Sequence, residues 1–305
     1  MNETLCPHCP AVIKESDTTC PSCGLAVSKL VLRRQFKPNT KRLQVLSSGG
    51  GTQSICMIVL IYLGAIPKPD IVVMADTERE ASNVFEYHEK YIKPLCDEIG
   101  LEFVIIKKSD WVKNDITLAS DDESVLPGFF TEFNGRDSKG ELGKQPGFCS
   151  SHWKVEPIRK YLNERYGEKE LTKRGVDSWI GMSFDERSRV KYPTGKWRKR
   201  YPLFEAEILR EQAIQIVQDF GLPEPPRSAC WMCPNRHDDE WIWMKENVPQ
   251  DFIKAQRFEK ELQKDFDWLY LHKSGVPVGE IIFTTKPKQQ DLLVDQFCDT
   301  GMCFV

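Results

Sequence analysis

The 305-residue chain lacks any apolar run near the ~20 residues that a membrane-spanning helix needs. Its longest run, Ile55 to Leu63, stops after nine residues, so no association with a membrane is expected. No charged segment followed by an apolar one opens the chain, and the expected compartment is the cytoplasm. Histidine is scarce, with five residues. His88, His237 and His272 show no ligand spacing, and His152 reads as a packed or surface side chain. Acidic residues are missing altogether between Thr18 and Pro69, although the whole chain carries a net charge of −3. Apolar residues at 40 % and charged residues at 29 % exclude a disordered chain, a collagen-like chain and a simple coiled coil.

The acid-free stretch holds Lys29, Arg33, Arg34, Lys37, Lys41, Arg42 and Lys68. A second basic cluster holds Arg187, Arg189, Lys191, Lys196, Arg198, Lys199 and Arg200. Local basic patches on a near-neutral protein point to polyanionic ligands, with a solvated basic surface as the plain alternative.

The chain has 11 cysteines, an odd number that does not suit a complete disulfide framework. In a reducing compartment cysteines are more often metal ligands or catalysts. Cys6-Pro-His-Cys9 and Cys20-Pro-Ser-Cys23 form two CxxC pairs. Four thiolates suit tetrahedral Zn²⁺, and so short a segment has no core of its own to fold around. Residues 1–28 therefore resemble a zinc ribbon with Cys6, Cys9, Cys20 and Cys23 as ligands, and 29–42 read as a basic linker. Cys56 and Cys96 sit among apolar residues and read as buried thiols, and Trp231, Trp241 and Trp243 read as core.

Residues 43–305 begin with an α/β alternation. Leu43–Ser47, Ile71–Ala75 and Leu101–Ile106 have the character of buried strands, and helical segments lie between them at 55–63 and 81–99. Further helices are expected over 151–166, 205–220 and 238–265, a strand over Val176–Met182, and a basic loop over 187–200. Strands alternating with helices predict a Rossmann-like parallel sheet with helices on both faces. The irregular, Gly-rich latter part of 107–148 reads as a candidate lid.

Between the first strand and its helix lies Ser48-Gly49-Gly50-Gly51-Thr52-Gln53-Ser54. Glycines at such a turn bring backbone N–H groups close to an anion, and the helix dipole favours negative charge there. The turn lacks the lysine of a GxxxxGK[ST] loop and the order of GxGxxG. By physics alone it is a phosphate or pyrophosphate cradle.

This turn resembles the PP-loop of the adenine-nucleotide alpha-hydrolase-like superfamily. The chain more narrowly resembles the phosphoadenosine-phosphosulfate reductase family through motifs in the same order. These are Ala75-Asp76-Thr77, Cys149 with Lys154-Val155-Glu156-Pro157-Ile158, Trp179-Ile-Gly181 through Glu186 with Arg189, and Ser228-Ala-Cys230-Trp-Met-Cys233-Pro234. The resemblance implies an adenine nucleotide such as ATP, with Mg²⁺ as a candidate companion, held at 48–54. Asp76, Thr77, Gly181, Arg187 and Arg189 would lie near it, and Cys149, Lys154 and Glu186 become candidate catalytic residues. The chain departs from the family at Glu78, where glycine is usual.

Cys149, Cys230 and Cys233 form a second thiol set whose spacing suits either zinc or an iron–sulfur cluster. The family resemblance favours a [4Fe–4S] cluster, with Cys303 or Cys298 of the tail as fourth ligand or with three protein ligands only. Cys149 is followed by Ser150, where cluster-bearing reductases have a second cysteine, and the tail lacks the Glu-Cys-Gly of those enzymes. The expected chemistry is reduction of a sulfonucleotide with a thiol reductant protein, or ATP-dependent adenylylation and thiolation of a nucleic acid with a sulfur donor. The rival expectation is a zinc-dependent nucleic-acid-binding adaptor with a vestigial PP-loop.

Overall fold

The computed structural model describes residues 4–5, 12–13, 19–24, 32, 34–113, 115, 127–130, 132–133, 136–137, 142–145 and 147–283. Cys6, Cys9, Cys298 and Cys303 lie outside these residues, as does most of the candidate lid. Cys20 is buried and Cys23 exposed.

Five parallel strands make the central sheet: β1 (Leu43–Ser48), β2 (Ile71–Asp76), β3 (Phe103–Lys107), β4 (Val176–Ile180) and β5 (Trp197–Arg200). Their spatial order is β5-β4-β1-β2-β3. Leu43 faces Val176 on one side, and Val45 faces Ile71 on the other. Every residue of β1 is buried, as expected for a central strand covered on both faces. Leu43 and Val45 join a core with Ile158, Leu162 and Leu171, while Leu46 joins the opposite core with Ile58, Trp179 and Val217. The helices responsible are α1 (Thr52–Tyr62) and α7 (Arg210–Asp219) on one face, and α4 (Glu156–Tyr166) and α5 (Glu168–Arg174) on the other. This is the expected α/β architecture.

The helix expected over 81–99 is divided. It runs as α2 (Ser82–Tyr87), a π-helical turn over His88–Ile92, and α3 (Lys93–Glu98). A second π-helical turn, Ser150–Val155, precedes α4. Both turns end two residues before a proline, Pro94 and Pro157. Proline donates no N–H and its ring crowds the preceding turn, so the helix widens there. The helix expected over 205–220 is split into α6 (Pro202–Glu205) and α7, with Glu207 at φ 59° between them.

Part of the basic loop 187–200 is a strand. Trp197–Arg200 closes one edge of the sheet as β5. Of the basic stretch 29–42, Phe36 is buried edge-on against Trp179, and Arg42 bonds Asp177 at 2.5 Å and the carbonyls of Val176, Gly195 and Lys196. Helices α8 (Asp238–Asn247) and α9 (Pro249–Leu262) carry a second apolar cluster around Trp153 and Trp241. Trp243 departs from the core expectation at 45 % exposed, because two residues of helix rotate it away from buried Trp241. Cys56 and Cys96 are buried as expected. No helix among the described residues is long and apolar enough to cross a membrane.

Candidate active site

Strand β1 delivers the glycine turn to the C-terminal edge of the sheet, where open α/β folds place their ligands. Helix α1 starts at Thr52 with Gly51 as its N-cap. The amides of Thr52, Gln53 and Ser54 therefore lack helical acceptors and face outward from a positive dipole end. Gly50 holds φ +76°, and a Cβ there would come within 2.8 Å of Met74 and Val84. A Cβ on Gly51 would meet the backbone nitrogen of Ser228 at 2.7 Å. The Ser228 hydroxyl donates to the Gly49 carbonyl and fastens the 228 segment across the turn.

An open cleft of about 510 Å³ lies over this turn. Ser47, Gly49, Gly51, Thr52, Gln53 and Ser54 line one side, and Lys154, Arg210 and Arg227 bring positive charge to it. Gly181 lines the same cleft, 3.0 Å (as a Cβ would stand) from Gln53. The Gln53 amide donates to Glu186 at 2.8 Å. Glu186 also accepts from the Ser183 amide and hydroxyl, both at 3.1 Å, and pairs with Arg189. The charge of Arg189 is thus engaged by Glu186, while Arg187 is exposed and outside the cleft lining.

Strand β2 ends at Asp76, whose carboxylate accepts from the Glu78 amide at 2.6 Å and whose pKa burial raises. Glu78 has φ +62°, the left-handed conformation that glycine adopts at least cost. Its carboxylate binds the amide and hydroxyl of Ser109 at 3.1 and 3.0 Å, which fastens the turn. Thr77 turns away from the glycine cleft. Its hydroxyl lies 3.2 Å from the Cys230 sulfur and 3.3 Å from Glu80.

The second thiol set comes from two places in the chain. Cys149 precedes the π-helical turn, and Cys230 and Cys233 share a tight turn in which the Cys233 amide donates to the Cys230 carbonyl at 3.0 Å. That turn is pinned to residues 79–80 by a β-bridge between Glu80 and Cys230 and by the Trp231 amide donating to Arg79. The Arg236 guanidinium caps the carbonyls of Ala229 and Cys230 at 3.0 and 3.1 Å. The thiols lie among Phe148, Trp153, Met232 and Trp241. Burial pushes the Cys149 thiol up to about 11, with the nearby Cys233 adding to it. Cys230 and Cys233 are raised for the same first reason, burial.

Lys154 joins the two halves of the site. It lines the glycine cleft, and its ammonium lies 3.2 Å from the Glu80 carboxylate. Burial opposes its charge, but Glu80, Cys230 and Cys149 outweigh that and hold its pKa above the ordinary lysine value. The second oxygen of Glu80 is buried without a hydrogen-bond partner, and so is the Ser150 hydroxyl. Among the described residues no three of His, Cys, Asp or Glu converge on one ion-sized point. A lone Zn²⁺ draws its thiolates to ~2.3 Å from one centre, whereas a cluster spreads them over several irons. Three mutually interacting thiols beside a buried cation fit the second arrangement better.

No family model matches the chain, and no curated protein matches it. Among solved structures it is similar to the U34-tRNA thiolase NcsA from Methanococcus maripaludis with its [4Fe–4S] cluster. The identity is 17 %, covering 78 % of this chain and 76 % of that one, with a TM-score of 0.37.

Glu80, Ser228, Arg210 and Arg227 do not stand out as site residues in the sequence. Glu80 sits in an acidic run, Glu78-Arg79-Glu80, that reads as solvated surface. Only the bridge to Cys230, 150 positions away, buries it.

Proposed function

We propose that the chain is a PP-loop enzyme that binds ATP over residues 48–54, adenylylates an atom of a nucleic acid, and inserts sulfur there. The observation that carries this reading is the position of Lys154, which lines the glycine cleft while contacting Glu80 beside Cys230. Nucleotide activation and sulfur chemistry then share one small volume.

In this reading the amides of the 49–54 turn accept the pyrophosphate as it leaves, and Arg210 and Arg227 offset its growing charge. Asp76 and Gly181 lie at the strand ends that border the nucleotide, and Gln53 holds Glu186 against the turn. Lys154 keeps its proton because Glu80 stabilises it, so it acts as a fixed positive charge rather than as a base. Cys149, Cys230 and Cys233 would hold an iron–sulfur cluster, which supplies sulfur or electrons to the activated atom when bound. Cys6, Cys9, Cys20 and Cys23 would hold a structural zinc in the N-terminal ribbon.

The test uses ATP labelled in its α-phosphate. AMP and pyrophosphate are expected only when nucleic acid is present. Gly51→Ala forces a Cβ onto Ser228 and should lower AMP formation about 100-fold or more. Release of sulfite from a sulfonucleotide, with a thiol reductant and without ATP, would overturn the reading.

A further inference from the structure

A second basic cavity opens beside the glycine cleft, between α4 and the edge strand β5, with about 810 Å³ of empty space. Arg159 comes from α4, Lys191 from the loop, and Arg198 and Lys199 from β5. Among the described residues no acidic side chain lines it. Nearby arginines elsewhere are matched: Arg42 with Asp177, Arg165 with Glu102, Arg189 with Glu186 and Arg200 with Glu205. The four cations of this cavity form no ion pair or side-chain hydrogen bond among the described residues, and the Arg159 guanidinium rests over the Trp197 ring at 5.3 Å.

We infer that this cavity is a backbone-phosphate site for the nucleic-acid substrate, separate from the pyrophosphate cradle. Clustered cations with no acidic neighbour repel one another until an anion arrives. Lys199 registers that: burial first, then Arg159 and Lys191, lower its pKa. The cavity shares Ser47 with the glycine cleft and reaches the free edge of the sheet at β5. A nucleotide already finds its donors at residues 49–54. An extended polyanion that enters the cleft has this cavity on its way out. The inference rests on the proposed function only in naming a nucleic acid as the substrate.

The test is fluorescence anisotropy with a labelled single strand of about 20 nucleotides, as RNA and as DNA, from about 50 to about 200 mM salt. The triple variant R159Q/K191Q/K199Q should weaken binding about 10- to 100-fold, and flatten the log–log salt slope by ~0.7 for each phosphate it no longer neutralises. K260Q, an exposed lysine on α9, should bind as the parent does. The triple variant should keep its ATP affinity and its melting temperature, because no ion pair has been removed. If the triple variant does not fold, K191Q alone, at an exposed loop position, should weaken binding in the same direction. Unchanged strand affinity in the variant that folds overturns the inference. An equal loss of ATP affinity also overturns it, by assigning the cavity to the nucleotide. Displacement of the strand by inorganic phosphate, but not by chloride at equal ionic strength, overturns it in favour of a small free phosphate. Cavity-dependent binding by a protein that forms no AMP supports the phosphate site and overturns the ATP-dependent reaction instead.

Discussion

Lys154 and Glu80 show how much of the site depends on single residues. Both are buried, and each is the other's ion-pair partner at 3.2 Å. Removing one side of a buried pair strands the other charge, at a cost of ~3–5 kcal/mol, while removing both with matched shapes is far milder. Lys154→Met should therefore lower the denaturant midpoint sharply, and adding Glu80→Gln should restore much of it. Equal losses in the single and double variants would show that the pair contributes nothing specific. Glu78 carries a different lesson. It replaces the glycine usual in the resembling family, yet it keeps a glycine-like φ of +62° and fastens the turn through Ser109. The departure in sequence left the conformation in place.

At the scale of elements, the interrupted helix α2–α3 carries a titration. His88 begins its π-helical turn and stacks on Phe103, with Nδ1 on the Val84 carbonyl at 2.7 Å and Nε2 buried without a partner. Burial lowers its pKa from the ordinary 6.5, against the opposing pull of Val84, Glu80 and Glu89. A group with a lowered folded pKa stays neutral in the fold while the unfolded chain takes up a proton. Stability is thus complete above about pH 6.5 and declines below it, by up to ~1.4 kcal/mol per pH unit. Thermal melts from about pH 7.5 to 5.5 should show that decline, and His88→Phe should reduce its slope. A slope unchanged in the variant would assign the titration to other groups, such as His272, whose pKa burial also lowers. Elements were legible in the sequence where periodicity was strong, as in β1, β2 and α1. They were illegible in β5, because Trp197-Arg-Lys-Arg200 has the composition of a basic loop. Pairing to β4 makes it a strand, and that pairing joins distant parts of the chain.

At the scale of the whole molecule, the two cysteine sets should load different metals. Protein purified without oxygen should hold about one zinc, with ~4 iron and ~4 acid-labile sulfide, per chain. Cys230→Ser should remove iron and sulfide but leave zinc, and Cys20→Ser should do the reverse. About two zinc and no iron would make the second set a structural zinc site and remove sulfur chemistry from the proposal. The sheet explains why one face of the protein gathers this chemistry. All strands run parallel, so the ends of β1, β2 and β4 emerge together, and the glycine turn, Asp76 and Gly181 share one edge.

The sequence by itself determined the α/β class, the glycine turn and the identity of the thiols. Those features are local: alternating apolar runs, a short glycine string and CxxC spacings are written in neighbouring residues. Only the tertiary structure decided that Thr77 and Glu80 face Cys230, that Ser228 closes over Gly49, that Lys154 joins nucleotide cleft to cysteines, and that four cations gather without an acid. Each of these depends on residues far apart in the chain, brought together when the sheet and its flanking helices buried their apolar faces.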